Sequence, residues 1–218
     1  MAKILIFGLN DFAELAHYYL STDSDHEVVA FIVDPEYLPT EKTFKDLPIV
    51  SSDNLFKYPP HSFKAFAPMA PTKMNQVRQK IYNGLKSKGY EMISYISSKA
   101  TTFNGEIGDN CFILENNTIQ PFTKIGNNVV LWSGNHIGHH SIIKDHVSFT
   151  SHVVLSGHCI VEECCFLGVN ATIRDGITLA KGSLIAMDAS VTRSTEEWGI
   201  YLGIPAMKKG NKPSHEIL

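Results

Sequence analysis

From Ile107 onward every sixth residue is apolar: Ile107, Ile113, Ile119, Ile125, Leu131, Ile137, Ile143, Phe149, Leu155, Val161, Leu167, Ile173, Leu179, Ile185 and Val191. Fourteen of these fifteen are aliphatic, and Phe149 is apolar too. A period of six fits neither a helix nor a simple amphipathic strand, so it predicts a repeat architecture. Four residues after each aliphatic the chain carries Cys111, Asn117, Thr123, Val129, Asn135, Ser141, Val147, Val153, Cys159, Cys165, Ala171, Ile177, Ser183 and Ala189, most of them small or β-branched. A large and a compact residue alternating in each hexapeptide suit a parallel β-helix, where both point into a narrow interior and stack on the coils above and below.

The position three after each aliphatic reads Asn110, Asn116, Phe122, Asn128, Gly134, His140, His146, His152, His158, Cys164, Asn170, Gly176, Gly182 and Asp188. Gly, Asn, Asp and His tolerate a left-handed backbone best, which predicts a corner where each short strand turns onto the next face. Three hexapeptides make one coil of 18 residues, so 107–196 predicts about five coils rising about 24 Å. Cys111, Cys159 and Cys165 fall on the compact inward position, where a thiol acts as a small hydrophobe.

The first half alternates strands with helices. Lys3 to Phe7 reads as an apolar strand, Gly8-Leu9-Asn10 as a turn, and Asp11 with Glu14 as a capping box for a helix burying Phe12, Leu15, Ala16 and Tyr19. Val28 to Val33 is a second strand ending in Asp34-Pro35. Ser52-Asp53 is a candidate cap for a short helical turn. Phe63 to Met69 reads as a third strand, Met74, Val77, Ile81 and Leu85 space a helix that Gly89 ends, and Met92 to Ile96 reads as another strand. This is a small Rossmann-like parallel α/β unit, whose ligands bind at the carboxyl ends of the strands, here the Gly8–Asp11 turn and Asp34. Gly8 has no second or third glycine partner, so a dinucleotide fingerprint is absent and NAD is not expected. The expected organisation is an α/β domain at 1–97, a linker at 98–106, the β-helix at 107–196 and a tail at 197–218.

Composition adds exclusions. The 218 residues are 44% hydrophobic and 19% charged, with a formal charge of −3 and no run of like charge. A packed protein is expected, with no nucleic-acid partner. The amino-terminal apolar run is too short for a signal peptide, no stretch is long enough to span a membrane, and the four cysteines form no C-x-x-C. A soluble, cytoplasmic protein is the expectation.

Six of the ten histidines, His136, His139, His140, His146, His152 and His158, lie within 23 residues. The corner series accounts for His140, His146, His152 and His158. It leaves out His139, two after Ile137, which is neither inward nor a corner, and so is a candidate base. An ordinary imidazole, with a pKa near ~6.5, accepts a proton at neutral pH without a metal. One coil on, 139 plus 18 is Gly157, whose backbone is therefore expected beside His139, with an amide available to an oxyanion. Successive corners point in different directions, so among the corner histidines only His140 and His158 are expected to stack.

With Ile4-Leu5-Ile6-Phe7-Gly8, Phe31-Ile32-Val33-Asp34, the fifteen hexapeptides, Ser133-Gly134-Asn135-His136-Ile137-Gly138-His139-His140-Ser141 and Gly203-Ile204-Pro205-Ala206, the chain resembles the hexapeptide-repeat sugar O- and N-acyltransferases, of the sialic-acid O-acetyltransferase and bacillosamine-pathway nucleotide-amino-sugar N-acetyltransferase type. The resemblance implies a left-handed β-helix and a homotrimer. It implies an acetyl-CoA-dependent N-acetyltransferase of surface-polysaccharide biosynthesis. There a histidine general base lets the amine of a nucleotide-linked amino-deoxy sugar, UDP or dTDP, attack the thioester directly. It places the base at His139 (or His140) and the oxyanion donor at Gly157. It assigns Gly8, Asn10, Asp11 and Asp34 to the nucleotide sugar. It assigns Gly168, Asn170, Ala186, Gly203, Ile204, Pro205, Ala206 and Lys208 or Lys209 to coenzyme A. The family's acidic residue after the base is His140 here, which leaves Asn135 as a candidate to orient the imidazole. A sugar O-acetyltransferase uses the same groups. A zinc enzyme of the gamma carbonic anhydrase type, built on the histidine cluster, and a non-catalytic assembly solenoid are the readings of another class. No metal is expected in the favoured one.

Overall fold

The computed structural model describes residues 1–103 and 105–218. The α/β unit comprises β1 (Lys3–Phe7), α1 (Asp11–Thr22), β2 (Glu27–Val33), β3 (Thr43–Phe44), β4 (Leu47–Ser51), β5 (Lys64–Phe66) and α2 (Gln76–Ser87). Its sheet runs β3-β4-β2-β1-β5, parallel except for the antiparallel β3–β4 pair. β1 is apolar throughout its interior because both faces are covered: Ile4 and Ile6 pack with Ala13, Ala16 and Leu20 of α1, while Leu5 and Phe7 pack with Tyr82 and Leu85 of α2.

Three expectations shift here. The cap of α1 is Asn10, whose side chain accepts from the Ala13 amide at 3.2 Å, and Asp11 is the first helical residue. The capping box moves by one because Asn10 is the last residue with extended backbone. Ser52-Asp53 forms a turn after β4 rather than a helix. The segment 92–96 does not add a strand to this sheet: Met92 makes one bridge to Ala65, and Tyr95–Ile96 pairs with Phe112–Ile113 instead.

That last pairing opens a three-sided parallel β-helix whose faces hold eight, six and five short strands. The face containing 112, 130, 148 and 166 is called face 1, that containing 118, 136, 154 and 172 face 2, and that containing 124, 142, 160 and 178 face 3. The aliphatic series points inward and is buried from Ile113 to Val191, and the compact series is buried with it. Asn117 and Asn135 fit inside because their amides are bonded, Asn117 Nδ2 to the Leu114 and Trp132 carbonyls at 2.8 and 2.9 Å, and Asn135 Nδ2 to Asn117 Oδ1 at 2.9 Å. All fourteen corner residues have positive φ, between 53° and 78°. Phe122 and Cys164 hold that conformation too, so the coil geometry overrides local preference there.

The stretch 98–106, expected as a linker, is part of the ladder: Thr101–Thr102 pairs with Thr118–Ile119 and Glu106–Ile107 with Lys124–Ile125. Asn104, inside it, lies outside the described residues. Thr101–Thr102 and Glu106–Ile107 thus join the first coil without the hexapeptide side-chain pattern, because a terminal coil has one neighbour to satisfy rather than two. The tail continues face 1 through Ile200–Leu202 and turns back as Met207–Lys208. Trp198 covers the Gly182 corner, where an added Cβ would sit 2.1 Å from the indole.

The α/β unit docks on face 1. Phe112, Leu114 and Val130 join its core, Phe12 of α1 meets Trp132 edge-on, and Tyr19 donates to Glu115 at 3.0 Å. From α2, fully buried Arg78 donates to the Val147 carbonyl and Ser148 Oγ, both at 3.2 Å. His146 lies in the same seam, at 2.9 Å from Asn128 Nδ2 and edge-on to Tyr82. Burial, reinforced by the Arg78 charge and opposed by Asp145, pushes the His146 pKa below its ordinary value. The unfolded chain therefore takes up the proton more readily, so the stability from a neutral His146 is present above about pH 6.5 and lost as pH falls below it. His17 and His26, also lowered mainly by burial, act with the same sign. The midpoint of thermal unfolding is expected to drop between pH 7 and 5, and His146→Asn, which keeps the left-handed corner, should flatten that dependence.

Candidate active site

Three corners run the length of the prism. Residues 110, 128, 146 and 164 lie between faces 3 and 1; residues 116, 134, 152 and 170 between faces 1 and 2; residues 122, 140, 158 and 176 between faces 2 and 3. The histidine cluster is divided accordingly. His146 is buried under α2, His152 lies over Gly134 at the second corner, and His136 is in a face 2 strand. At the third corner, opposite the face that carries the α/β unit, His139, His140 and His158 come together.

His140 and His158 stack with centroids 4.9 Å apart and planes 15° off parallel, and Phe122 continues the column at 4.6 Å from His140. His139 stands perpendicular to both, at 5.2 and 5.0 Å. Its backbone N–H donates to Gln120 Oε1 at 3.0 Å, its carbonyl accepts from the His158 amide at 2.9 Å, and its Nδ1 lies 3.1 Å from His140 Nδ1. One of those nitrogens must donate and the other accept. With the proton on His139 Nδ1, its Nε2 carries the free lone pair. Asn135 plays no part, since its side chain is inside the prism and its Oδ1 accepts from the Val153 amide at 2.8 Å. The interior needs an amide there to satisfy backbone groups, and the side chain within hydrogen-bond distance of the His139 ring is His140.

Gly157 lies against the His139 ring: a Cβ there would be 2.8 Å from Cε1 and 3.0 Å from Nε2. Its N–H makes no hydrogen bond among the described residues. The cause is local. His139 satisfies its own N–H with Gln120, 19 positions back, whereas the residue 19 before Gly157 is Gly138, with no side chain to offer. Gln120 escaped notice in the sequence because it belongs to no repeat series; its signal was its place one coil below His139.

On the α/β unit, Gly8, Asn10 and Asp34 line one cleft of about 750 Å³ at the carboxyl ends of β1 and β2. Gly8 adopts φ +106° and Asp34 accepts from Ser52 Oγ at 2.7 Å. Asp11, the first residue of α1, does not line the cleft. Lys73, Gln76, Lys80 and Tyr37, which no sequence motif marks, also line the cleft. Gln76 and Lys80, four apart on one face of α2, were the available signal. Lys73 belongs to a run of three left-handed residues, Lys73, Met74 and Asn75, anchored where Asn75 Oδ1 accepts from Ser148 Oγ at 2.7 Å.

The remaining group follows the second corner. Gly168 and Ala186 stack on successive coils, Asn170 is an exposed corner, and Gly203 bonds its carbonyl to the Ser190 amide at 3.1 Å. Ile204 and Pro205 are exposed beside them, Ala206 is half-buried, and Lys208 is paired with Glu196 while Lys209 is exposed without a carboxylate partner among the described residues. Within one chain this edge and the His139 edge flank face 2 on opposite sides, and the Gly8 cleft lies across the prism from His139.

These features define a left-handed parallel β-helix of hexapeptide repeats joined to a Rossmann-like α/β unit. The family model described as Bacterial transferase hexapeptide (six repeats) matches residues 104–137 and 122–157, within the solenoid. Among curated proteins the chain is similar to acyl-[acyl-carrier-protein]–UDP-N-acetylglucosamine O-acyltransferase of Sinorhizobium fredii, at 25% identity over 60% of this chain and 50% of that protein. The chain thus spans about half the length of the curated relatives it matches. Among solved structures, perosamine N-acetyltransferase from Caulobacter crescentus, in complex with CoA and GDP-perosamine, superposes over 97% of this chain and 98% of its own with TM-score 0.86 at 19% identity. The acetyltransferase domain of PglB from Neisseria gonorrhoeae does so over 96% and 100%, with TM-score 0.80 at 16% identity. Both share the two-part fold from end to end. No described helix is long and apolar enough to cross a membrane.

Proposed function

We propose that the protein transfers an acetyl group from acetyl-CoA to the amino group of a nucleotide-linked amino sugar, with His139 as general base. The observation that carries this reading is the pairing of an exposed, oriented imidazole with an unpartnered amide, His139 over Gly157, on a fold matched throughout by enzymes whose solved complexes hold CoA and a nucleotide-linked amino sugar. The amine nitrogen attacks the thioester carbonyl, the developing oxyanion takes the Gly157 N–H, and His139 Nε2 takes the ammonium proton. As the C–S bond breaks, the thiolate leaves with that proton and the amide product forms. His140 accepts from His139 Nδ1 throughout and so holds the tautomer.

The Gly8, Asn10, Asp34 cleft takes the nucleotide, with Lys73 and Lys80 toward its phosphates, and the Gly168–Ala206 edge takes coenzyme A. Because His139 lies on a different prism edge from both groups, a working site needs a neighbouring subunit. A homotrimer placing the third corner of one copy against the second corner of the next supplies it. Acetyl-CoA and nucleotide sugars place the reaction in the cytoplasm.

The test is thiol release from acetyl-CoA by the purified protein over a panel of UDP-, dTDP- and GDP-linked 3- and 4-amino sugars, with hydroxyl analogues beside them. Turnover on an amine supports the reading; turnover on the hydroxyl analogue alone reassigns it to O-acetylation, and silence throughout refutes it. Lys80→Ala should raise KM for the nucleotide sugar about 10-fold or more while leaving kcat nearly unchanged, since a lost charge-assisted contact to a bound phosphate costs about 1.5–3 kcal/mol.

A further inference from the structure

The geometry points to a regulatory metal site: His139, His140 and His158 bind a borderline divalent cation, zinc above all, and its binding switches the transfer reaction off. One ligand atom from each of the three imidazoles lies within 4.8 Å of the others, and all three side chains are exposed. A tetrahedral zinc with Zn–N bonds of about 2.0–2.1 Å sets its ligands about 3.3–3.4 Å apart. The His139 and His140 Nδ1 atoms, at 3.1 Å, already have that spacing. With the three ligand atoms no more than 4.8 Å apart, bringing His158 to bonding distance takes at most about 1.5 Å of movement, a small side-chain rotation at an exposed corner. The ligand set is all imidazole, which selects zinc, nickel or copper and discriminates against magnesium and calcium. Three protein ligands leave a fourth tetrahedral position for a water.

The site arises because two independent features coincide. A corner column repeats every 18 residues and puts His158 on His140, and the residue beside the candidate base is itself a histidine. The consequence for catalysis follows from the valence of imidazole. A neutral ring has one lone pair; when Nδ1 of His139 gives it to a metal, the remaining proton is fixed on Nε2, and no base is left to accept a proton from the amine. His140 is removed as an orienting partner in the same step. Zinc here is an inhibitor competing for the base's lone pair, not a cofactor.

This inference rests on the reading above for its effect on turnover, but not for the binding itself. The test is titration of the full-length protein with zinc chloride in a non-coordinating buffer, followed by calorimetry, for the wild type, His158→Asn and His152→Asn. Asparagine tolerates the left-handed corner, and His152 lies on another edge as control. One zinc per subunit, weakened at least 10-fold in His158→Asn and unchanged in His152→Asn, is expected. Each protein's turnover with zinc is then compared with its own zinc-free rate: the wild type and His152→Asn should be inhibited and restored by chelator, and His158→Asn should be resistant. Absence of saturable binding, or binding that His158→Asn leaves intact, overturns the site. Binding without inhibition overturns the switch. Binding as expected on a protein inert toward every amino sugar leaves the site standing and removes the acetyltransferase reading. Circular dichroism guards against a misfolded variant, and His140→Asn then replaces it in the binding experiment.

Discussion

His139→Ala is expected to lower kcat for acetyl transfer by about 10²–10⁴-fold, the usual contribution of a positioned base. Coenzyme A and nucleotide-sugar affinity should hardly change, because neither the Gly8 cleft nor the Gly168–Ala206 edge contains this residue. The fold should be indifferent too: His139 is exposed and is not among the residues with positive φ. His140 touches the His139 ring and not the reacting atoms, so His140→Asn should lower kcat less than His139→Ala does and leave KM for both substrates nearly unchanged. A variant with wild-type turnover at position 139 would remove the histidine from the mechanism altogether.

How much of this was visible in the sequence depends on whether the information was periodic. The interior and the corners were, because each is a rule applied every six residues: the coil forces left-handed backbone even on Phe122 and Cys164, so the period alone names every corner residue. The neighbourhood of His139 and Gly157 was legible for the same reason, since 18 residues is one rung. What depends on a side chain reaching across rungs was not. His140 as the partner of His139, Gln120 under the His139 amide and the missing acceptor below Gly157 are relations of 1 and 19 positions, invisible to a period of six. The α/β unit offered no repeat, so its strand at 47–51 and the lysines of its cleft emerged only from packing. The edges matter most: that 139 and 168 fall on different corners is arithmetic, yet its meaning, that one chain separates the proposed base from the proposed nucleotide and coenzyme A residues, depends on the α/β unit lying on face 1.

Phe149→Ala should be the most damaging change to stability. Phe149 is fully buried and stands in register between Leu131 on the coil below and Leu167 on the coil above, a ring between two aliphatics. Removing it leaves a cavity in a closed prism whose walls are hydrogen-bonded on both sides and cannot collapse, so the upper part of the usual range applies, about 3–5 kcal/mol. At about 2–4 °C per kcal/mol for a chain of this size, the thermal midpoint should fall by roughly 6–20 °C. Phe149→Leu restores the aliphatic character of the series and should cost less than about 1.5 kcal/mol. Each coil touches only its neighbours, so the damage has a direction. Ser148, next in the same strand, holds both Arg78 and Asn75 of the α/β unit. Amide exchange should therefore quicken in the 131, 149 and 167 rungs and at the start of α2, while the His139 corner, on the opposite edge, is affected less. Equal loss from Phe149→Ala and from Val154→Ala, a residue pointing out of face 2, would mean the period of six does not define the core.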